Sequence, residues 1–334
     1  MIEEIKNLIS RDFENLSFDL SGWNQVLSAS RFASVYHQVS NVDYYSAYFQ
    51  GENISFVLIE DKKPMAIFPI FAYQDNDEWK ISSNGFGLIS PLFIRNIPKK
   101  LRKRLEKQLI EIILLISKKL NLKKIIFFEN SHSLSNWFLL WLERADKDFI
   151  KYQLAIDLEQ SIESIKLDFR KSYKPLVNKA MKDWDVKVCD ENLDKVFEEF
   201  KDLHFEAAGK RTRSEESWSI QRKQIENEEA FLVSVRDGKT LIGAGFFNFS
   251  RDMGTYSVGA YKRDLFDKPI GHAVQMIAIK KLKDLGCKTY ILGQKAVGIS
   301  PSVSSNKEAS ISHFKEGFAG YVFAQPCLEV SLNE

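Results

Sequence analysis

Several stretches of this chain gather residue types that act on anions. Lys210, Arg211 and Arg213 crowd the residues just past Gly209. Guanidinium forks match the oxygens of phosphate and carboxylate, so a nucleotide diphosphate, a lipid pyrophosphate or a tRNA acceptor stem fits such a loop. Helix-end charge complementarity explains one or two of these cations, and three less easily. Lys166, Arg170 and Lys174 recur at i, i+4 and i+8; such a stripe is first of all a solvated helix face, and becomes a phosphate track only if the partner is tRNA. His272 follows Gly271 at an expected helix start, where its pKa falls and its N–H can meet an anion; simple packing explains it equally well. Trp218 and Tyr261 offer rings for stacking on a sugar or base, against the stronger expectation of a core role. Lys315 stands two residues before Gly317, and taken alone it is a helix-end lysine offsetting the macrodipole. His313 points about 200° away from Lys315 on a regular helix, so the two do not line one pocket.

Other chemistries are absent from the sequence. It has no G-x-S-x-G elbow, H-E-x-x-H pair, Walker loop or dinucleotide fingerprint after a strand, which argues against hydrolase, zinc-protease and ATPase readings. Its three cysteines, Cys189, Cys287 and Cys327, form no C-x-x-C pair. A disulfide scaffold is excluded and no metal is expected. Lys plus Arg number 47 against 45 Asp plus Glu, a net charge of +2 that concentrates neither DNA nor an anionic membrane. Any anionic partner must therefore meet a local patch. Residues 1–10 lack the apolar core of a signal peptide, and the most apolar run, 109–120, is interrupted by charge and shorter than the ~20 residues of a membrane span. These features predict a cytoplasmic protein with no transmembrane segment.

The elements that must position these residues follow from periodicity. With 334 residues, 44% hydrophobic and 28% charged, the chain is long enough for two globular domains. Residues 53–60 and 65–73 read as a hairpin around Asp61-Lys62-Lys63-Pro64, 97–120 as a buried helix, and 123–129 and 151–158 as strands. From Ser161 an apolar stripe through Ile165, Phe169, Tyr173, Val177, Ala180 and Trp184 predicts one long helix, kinked or broken at Pro175. A second helix spans 193–209, ended by glycine. Residues 231–236, 240–249 and 254–261 form a three-strand meander, followed by a helix over 271–285, a strand over 288–293, a polar loop through Asn306, a short helix over 308–315 and a closing strand over 321–330. The first half gives a looser copy of this order, which places the boundary near Glu159 and predicts domains 1–159 and 160–334.

Helices, three antiparallel strands, then helix, strand, helix, strand is an order that resembles the Gcn5-related N-acetyltransferase (GNAT) fold. Two such units in tandem resemble the FemABX (FemAB-like) peptidoglycan aminoacyl transferases. The residues that carry the resemblance are His204 through Arg213 (HFEAAGKRTR), Tyr256 through Tyr261 (YSVGAY), Lys268 through His272 (KPIGH), His313 through Phe318 (HFKEGF) and Phe169 through Lys174 (FRKSYK). It implies an α/β (α+β) protein of two GNAT-like domains, each a mixed, mostly antiparallel sheet flanked by helices. It further implies an acyl- or aminoacyltransferase acting on an amine of a cell-envelope precursor, such as a nucleotide-linked amino sugar or a peptidoglycan intermediate. Lys315 is then the catalytic residue, stabilising developing negative charge. Arg211, Arg213, Trp218 and Tyr261 bind the acceptor. Backbone N–H groups of Val258 and Ala260, with Lys268, Gly271 and His272, hold the donor.

Acetyltransferases of this fold carry a glycine-rich turn that cradles pyrophosphate on bare N–H groups. Residues 262–271 hold one glycine, Gly271. That departure favours aminoacyl-tRNA as donor, with no tightly bound cofactor. An acyl-CoA or acyl carrier protein donor is the alternative within enzymes, and a noncatalytic glycan-precursor binding module is the alternative outside them.

Overall fold

A computed structural model of the chain describes residues 1–131, 133–297 and 306–332. The architecture is α+β, in two compact units: Met1–Ile150 with Gln325–Glu334, and Lys151–Ala324. The polar loop expected up to Asn306 falls largely outside the described residues.

The first unit opens on α1 (Ile2–Asp12), whose Ile2, Ile5 and Ile9 bury one face. After β1 (Leu16–Ser17), α2 (Trp23–Ala29), α3 (Val39–Phe49) and β2 (Glu52–Asn53) come β3 (Phe56–Glu60) and β4 (Lys63–Phe68), the expected hairpin. Asp61 and Lys62 both take positive φ at its turn, as a two-residue hairpin requires. The strand expected to continue to Tyr73 stops at Phe68. Pro69, which has no N–H to give a ladder, breaks it, and β5 (Phe71–Asp75) joins β2 and β6 (Glu78–Ser82) in another sheet. Two-residue β7 (Leu88–Ile89) and β8 (Leu92–Phe93) precede the 21-residue α4 (Lys99–Lys119), which buries Leu105, Leu109, Ile112, Ile113 and Ile116. Then come β9 (Lys124–Phe128) and α5 (Asn136–Leu142), whose Trp137, Phe138 and Trp141 complete the core.

In the second unit, β10 (Lys147–Asp157) leads to α6 (Ile162–Asp168) and α7 (Tyr173–Asp183). The expected single helix is broken at 169–172 and not at Pro175. That proline is the third residue of α7, where an N–H has no intrahelical acceptor to lose. Next come β11 (Asp185–Val188), α8 (Leu193–Ala208) closed by left-handed Gly209, and α9 (Glu215–Glu226). The meander is β12 (Ala230–Asp237), β13 (Thr240–Phe249) and β14 (Met253–Tyr261), followed by α10 (Ile270–Asp284), β15 (Thr289–Gln294), α11 (Asn306–Glu316) and β16 (Tyr321–Ser331). The sheet order is β11-β12-β13-β14-β15-β10. Strand alternation feeds both faces: Phe231, Val233 and Val235 pack under α6, α7 and α10, whereas Ala230 and Leu232 pack under α8 and α9. The last residues of β16 belong to the first unit, where Cys327 through Ser331 pair antiparallel with β9.

Candidate active site: an opening between two strands

Strands β14 and β15 are parallel neighbours over three residue pairs only, Met253 with Thr289, Gly254 with Tyr290 and Thr255 with Ile291. Beyond them β14 runs on to Tyr261 and β15 to Gln294, and the two part. Each strand is deflected at that point by a bulge. Ser257 is the unmatched residue against β13, and Leu292 is the unmatched residue against β10. Bulges bend a strand and raise its twist, which here drives the strands apart.

The bulge also decides which amides face the opening. Lys262 N–H donates to the Ile242 carbonyl at 3.0 Å. Bonded residues alternate along an antiparallel ladder, so Ala260 and Val258 spend their N–H groups on β13, and Gly259 and Tyr261 turn theirs toward the gap. The expected donors, Val258 and Ala260, are thus displaced by one residue. Their side chains are buried against α8 instead.

Lys315 enters this opening from the last turn of α11. Its Nζ lies 5.2 Å from the centre of the Tyr256 ring, on β14. It also crowds Gly293 on β15, where an added Cβ would stand 2.6 Å from Nζ. Gly293 is further required by its φ of +129°, in a region open to glycine. Among the described residues no carboxylate pairs with Lys315. Burial pushes its pKa down to about 8, so at pH 7 roughly nine-tenths of the side chains still carry a charge. An unpaired cation beside outward-facing amides is suited to an oxyanion.

The aim of Lys315 is set by residues around it. Arg170, in the break between α6 and α7, donates through Nη2 to the His313 carbonyl at 3.0 Å and through Nη1 to Tyr173 Oη at 3.2 Å. Tyr173 Oη donates to the Phe314 carbonyl at 3.0 Å. Carbonyls in the last turn of a helix lack their usual intrahelical partners; the arginine engages that of His313, and the tyrosine joins the Gly317 N–H on that of Phe314. Gly317 admits the Tyr173 ring, since a Cβ there would lie 2.2 Å from Cε2. Arg170 therefore positions α11. His313 is exposed and faces Arg170, away from Lys315 as expected.

His272 lies among Tyr173, Phe314 and Phe318, with ring centres 4.4, 5.1 and 5.7 Å away. Its ring nitrogens are buried without hydrogen bonds, and burial lowers its pKa to about 4, leaving it neutral at pH 7. Phe314 also covers Gly271, whose Cβ would meet Cζ at 3.1 Å. Tyr261 shares a 2.9 Å hydrogen bond between hydroxyls with Tyr256, and burial raises both pKa values. Lys268 is exposed and paired with Asp267 at 2.7 Å.

A second grouping sits at the turn from α8 to α9, and shares no side chain with the first. Arg213 Nη1 donates to His204 Nε2 at 2.9 Å, and its guanidinium lies 5.2 Å over the Trp218 ring. Trp218 is 6% exposed, edge-on to Phe197 and Phe200, so both its faces are occupied by protein. Arg211 projects into solvent, 3.6 Å from Glu215. Sequence reasoning missed Tyr256 as the ring beneath Lys315 and Arg263, whose Nη2 donates to the Ala207 carbonyl at the end of α8 (2.8 Å).

No family model and no curated protein matches the sequence. Among solved structures, FemX superposes with a TM-score of 0.66 at 11% identity, covering 95% of this chain and 97% of that one. L-PGS from Bacillus licheniformis gives 0.61 at 11% identity over 95% and 93%. The C-terminal domain (DUF2156) of a putative lysylphosphatidylglycerol synthetase from Agrobacterium fabrum gives 0.61 at 9% over 94% and 92%. The chain has a FemABX-like fold of two tandem GNAT-like units.

Proposed function

We propose that this protein is an acyl- or aminoacyltransferase that modifies an amine of a cell-envelope precursor in the cytoplasm, either a nucleotide-linked amino sugar or a peptidoglycan intermediate. The observation that carries the reading is the unpaired, half-buried Lys315 beside the opening where β14 and β15 part. The likeness in fold to FemX and to lysylphosphatidylglycerol synthetase supports it.

In the reaction the acceptor amine attacks the donor carbonyl, a C–N bond forms, and negative charge collects on the carbonyl oxygen. Lys315 and the N–H groups of Gly259 and Tyr261 stabilise that charge. The C–O or C–S bond to the donor then breaks, and the proton lost by the amine ends on the leaving oxygen or sulfur. Arg211 and Arg213 hold acceptor phosphate. The single glycine of residues 262–271 and the phenyl ring over Gly271 favour aminoacyl-tRNA over acyl-CoA or acyl carrier protein as donor. Tyr261 then lines the opening, whereas His272 and Trp218 are enclosed by protein rings and Phe314 covers Gly271.

The test is to incubate the full chain with nucleotide-linked amino sugars and each donor class in turn, and to weigh the products by mass spectrometry. A mass gain on an amine that Lys315→Met abolishes supports the reading. Binding of acceptors with no mass gain from any donor overturns it in favour of a binding module.

A further inference from the structure

The bulge at Ser257 arranges side chains as well as amides. Tyr256 and Tyr261 are five residues apart, an odd separation that a regular strand sends to opposite faces. Both rings nevertheless pack against one core, with their hydroxyls 2.9 Å apart. Val258 and Ala260 lie on the other face, against α8. Gly259 between them leaves room for the Tyr256 hydroxyl, which a Cβ there would meet at 1.8 Å. A slip that absorbed the bulge would pair Ser257 with Phe246 and turn every later residue of β14 over, because the side-chain period of a strand is two. Gly259 and Tyr261 would then give their N–H groups to β13, and those of Val258 and Ala260 would face the opening.

A buried file of side-chain hydrogen bonds holds the extra residue where it is. Ser257 Oγ donates to Asn248 Oδ1 at 2.6 Å. Thr255, directly across the ladder from Asn248, brings its Oγ1 to 3.5 Å from Ser257 Oγ. Asn248 stands on β13 and is 4% exposed, and its Nδ2 donates to Gln224 Oε1 of α9 at 3.0 Å. Gln224 is itself 1% exposed. A carboxamide has an acceptor end and a donor end. Here the donor end is committed to a helix and the acceptor end to the bulge. Burial makes either bond costly to lose, so the pair singles out Ser257 as the residue left unmatched.

We propose that Asn248 is a positioning residue: anchored on Gln224, it pins Ser257 as the extra residue of β14 and thereby aims the Gly259 and Tyr261 N–H groups into the opening beside Lys315. The aim of the amides is a property of the fold, whereas their use on a carbonyl oxygen rests on the transferase reading given above.

The test compares the full chain with Ser257→Ala, Ser257→Thr and Asn248→Leu. Ser257 is exposed, so its variants fold whether or not Asn248→Leu does. Amide hydrogen exchange followed by NMR reads the aim directly. In the wild type Val258 and Ala260 are protected by β13, and Gly259 and Tyr261 exchange faster. In Ser257→Ala and Asn248→Leu the protection of Val258 and Ala260 falls about tenfold or more while the amides of β12 keep theirs, and Ser257→Thr, which retains the hydroxyl, restores it. In the transfer assay kcat falls about tenfold to a hundredfold in Ser257→Ala with the acceptor KM unchanged, and Ser257→Thr regains most of it. Wild-type exchange in Ser257→Ala or in folded Asn248→Leu overturns the inference, as does a uniform rise across the sheet, the mark of lost stability alone. Altered exchange with wild-type kcat overturns it too, since the bulge then serves packing only. Altered exchange in a protein that transfers nothing to any amine supports the aim of the amides and overturns the transferase reading instead.

Discussion

Each unit parts a pair of parallel strands, β14 from β15 and β7 from β9, and the two gaps are furnished differently. In the second unit the helix after the gap, α11, sends into it a lysine with no acid partner among the described residues, and both flanking strands are bulged. In the first, the corresponding helix α5 turns Trp137, Phe138 and Trp141 into the core and leaves only Ser135, its N-cap, at a cavity beside the gap. Cations there, Arg31 and Arg95 among them, stand on the rim. On the function proposed above, the opening of the second unit meets charge that develops during a reaction.

The sharpest way to break that contrast is Lys315→Met. Loss of a charged stabiliser from a water-poor site lowers turnover by about a hundredfold to a thousandfold, with the acceptor KM little changed. Unchanged turnover in a steady-state assay removes Lys315 from the mechanism. Next in size is Gly317→Ala. A Cβ at 2.2 Å from the Tyr173 ring forces that ring or α11 to move, and overpacking of this kind destabilises by about 1–3 kcal/mol. A fall in both Tm and kcat is expected; a fall in Tm alone would show that Lys315 keeps its aim without the Tyr173 contact.

The pH dependence separates the two openings more finely. Turnover that needs charged Lys315 is full below its pKa of about 8 and declines as the pH rises through it, whereas Lys315→Arg extends whatever activity it retains to higher pH. Stability moves the opposite way. Burial lowers the lysine pKa from its ordinary 10.5 to about 8, so between those values the unfolded chain binds more protons and the native state gains stability as the pH rises. Lys315→Met therefore raises the Tm at pH 7, by an amount that shrinks toward pH 10.5. An Arg31→Ala/Arg95→Ala variant of the first unit leaves both profiles unchanged.

Much of the second unit is written in short-range pattern. The meander, the glycine stop of α8 and the amphipathic α10 follow from periods of two and 3.6 residues. What stayed hidden depends on contacts distant in sequence. Pro175 is a breaker only if it lies inside a helix, and Arg170 and Tyr173, by reaching α11, place the break earlier. The four residues of β11 alternate weakly, and gain strand form from β12. The outward amides belong to Gly259 and Tyr261 and not to Val258 and Ala260, because a bulge at Ser257 resets the ladder, and nothing in YSVGAY announces it. Trp218 is closed off because α9 turns it toward Phe197 and Phe200, contacts distant in sequence.

The smallest predicted effect concerns His272, where the two ways of using an aromatic site compete. Its nitrogens are buried and unbonded, and its pKa of about 4 lies below the ordinary 6.5. The unfolded chain therefore binds more protons between those values, and native stability falls as the pH drops through 6.5 toward 4. His37 of the first unit, buried and likewise lowered to about 4, adds the same slope. His272→Phe keeps the ring packing against Tyr173, Phe314 and Phe318 and removes two unsatisfied polar atoms. Its Tm at pH 7 should equal or slightly exceed that of the wild type, and its acid limb should be shallower, with the His37 share remaining. If turnover survives as well, the ring serves packing beneath α11, and the donor is held by the strand amides and Lys315. If turnover falls while the Tm holds, His272 touches the donor through a neutral imidazole.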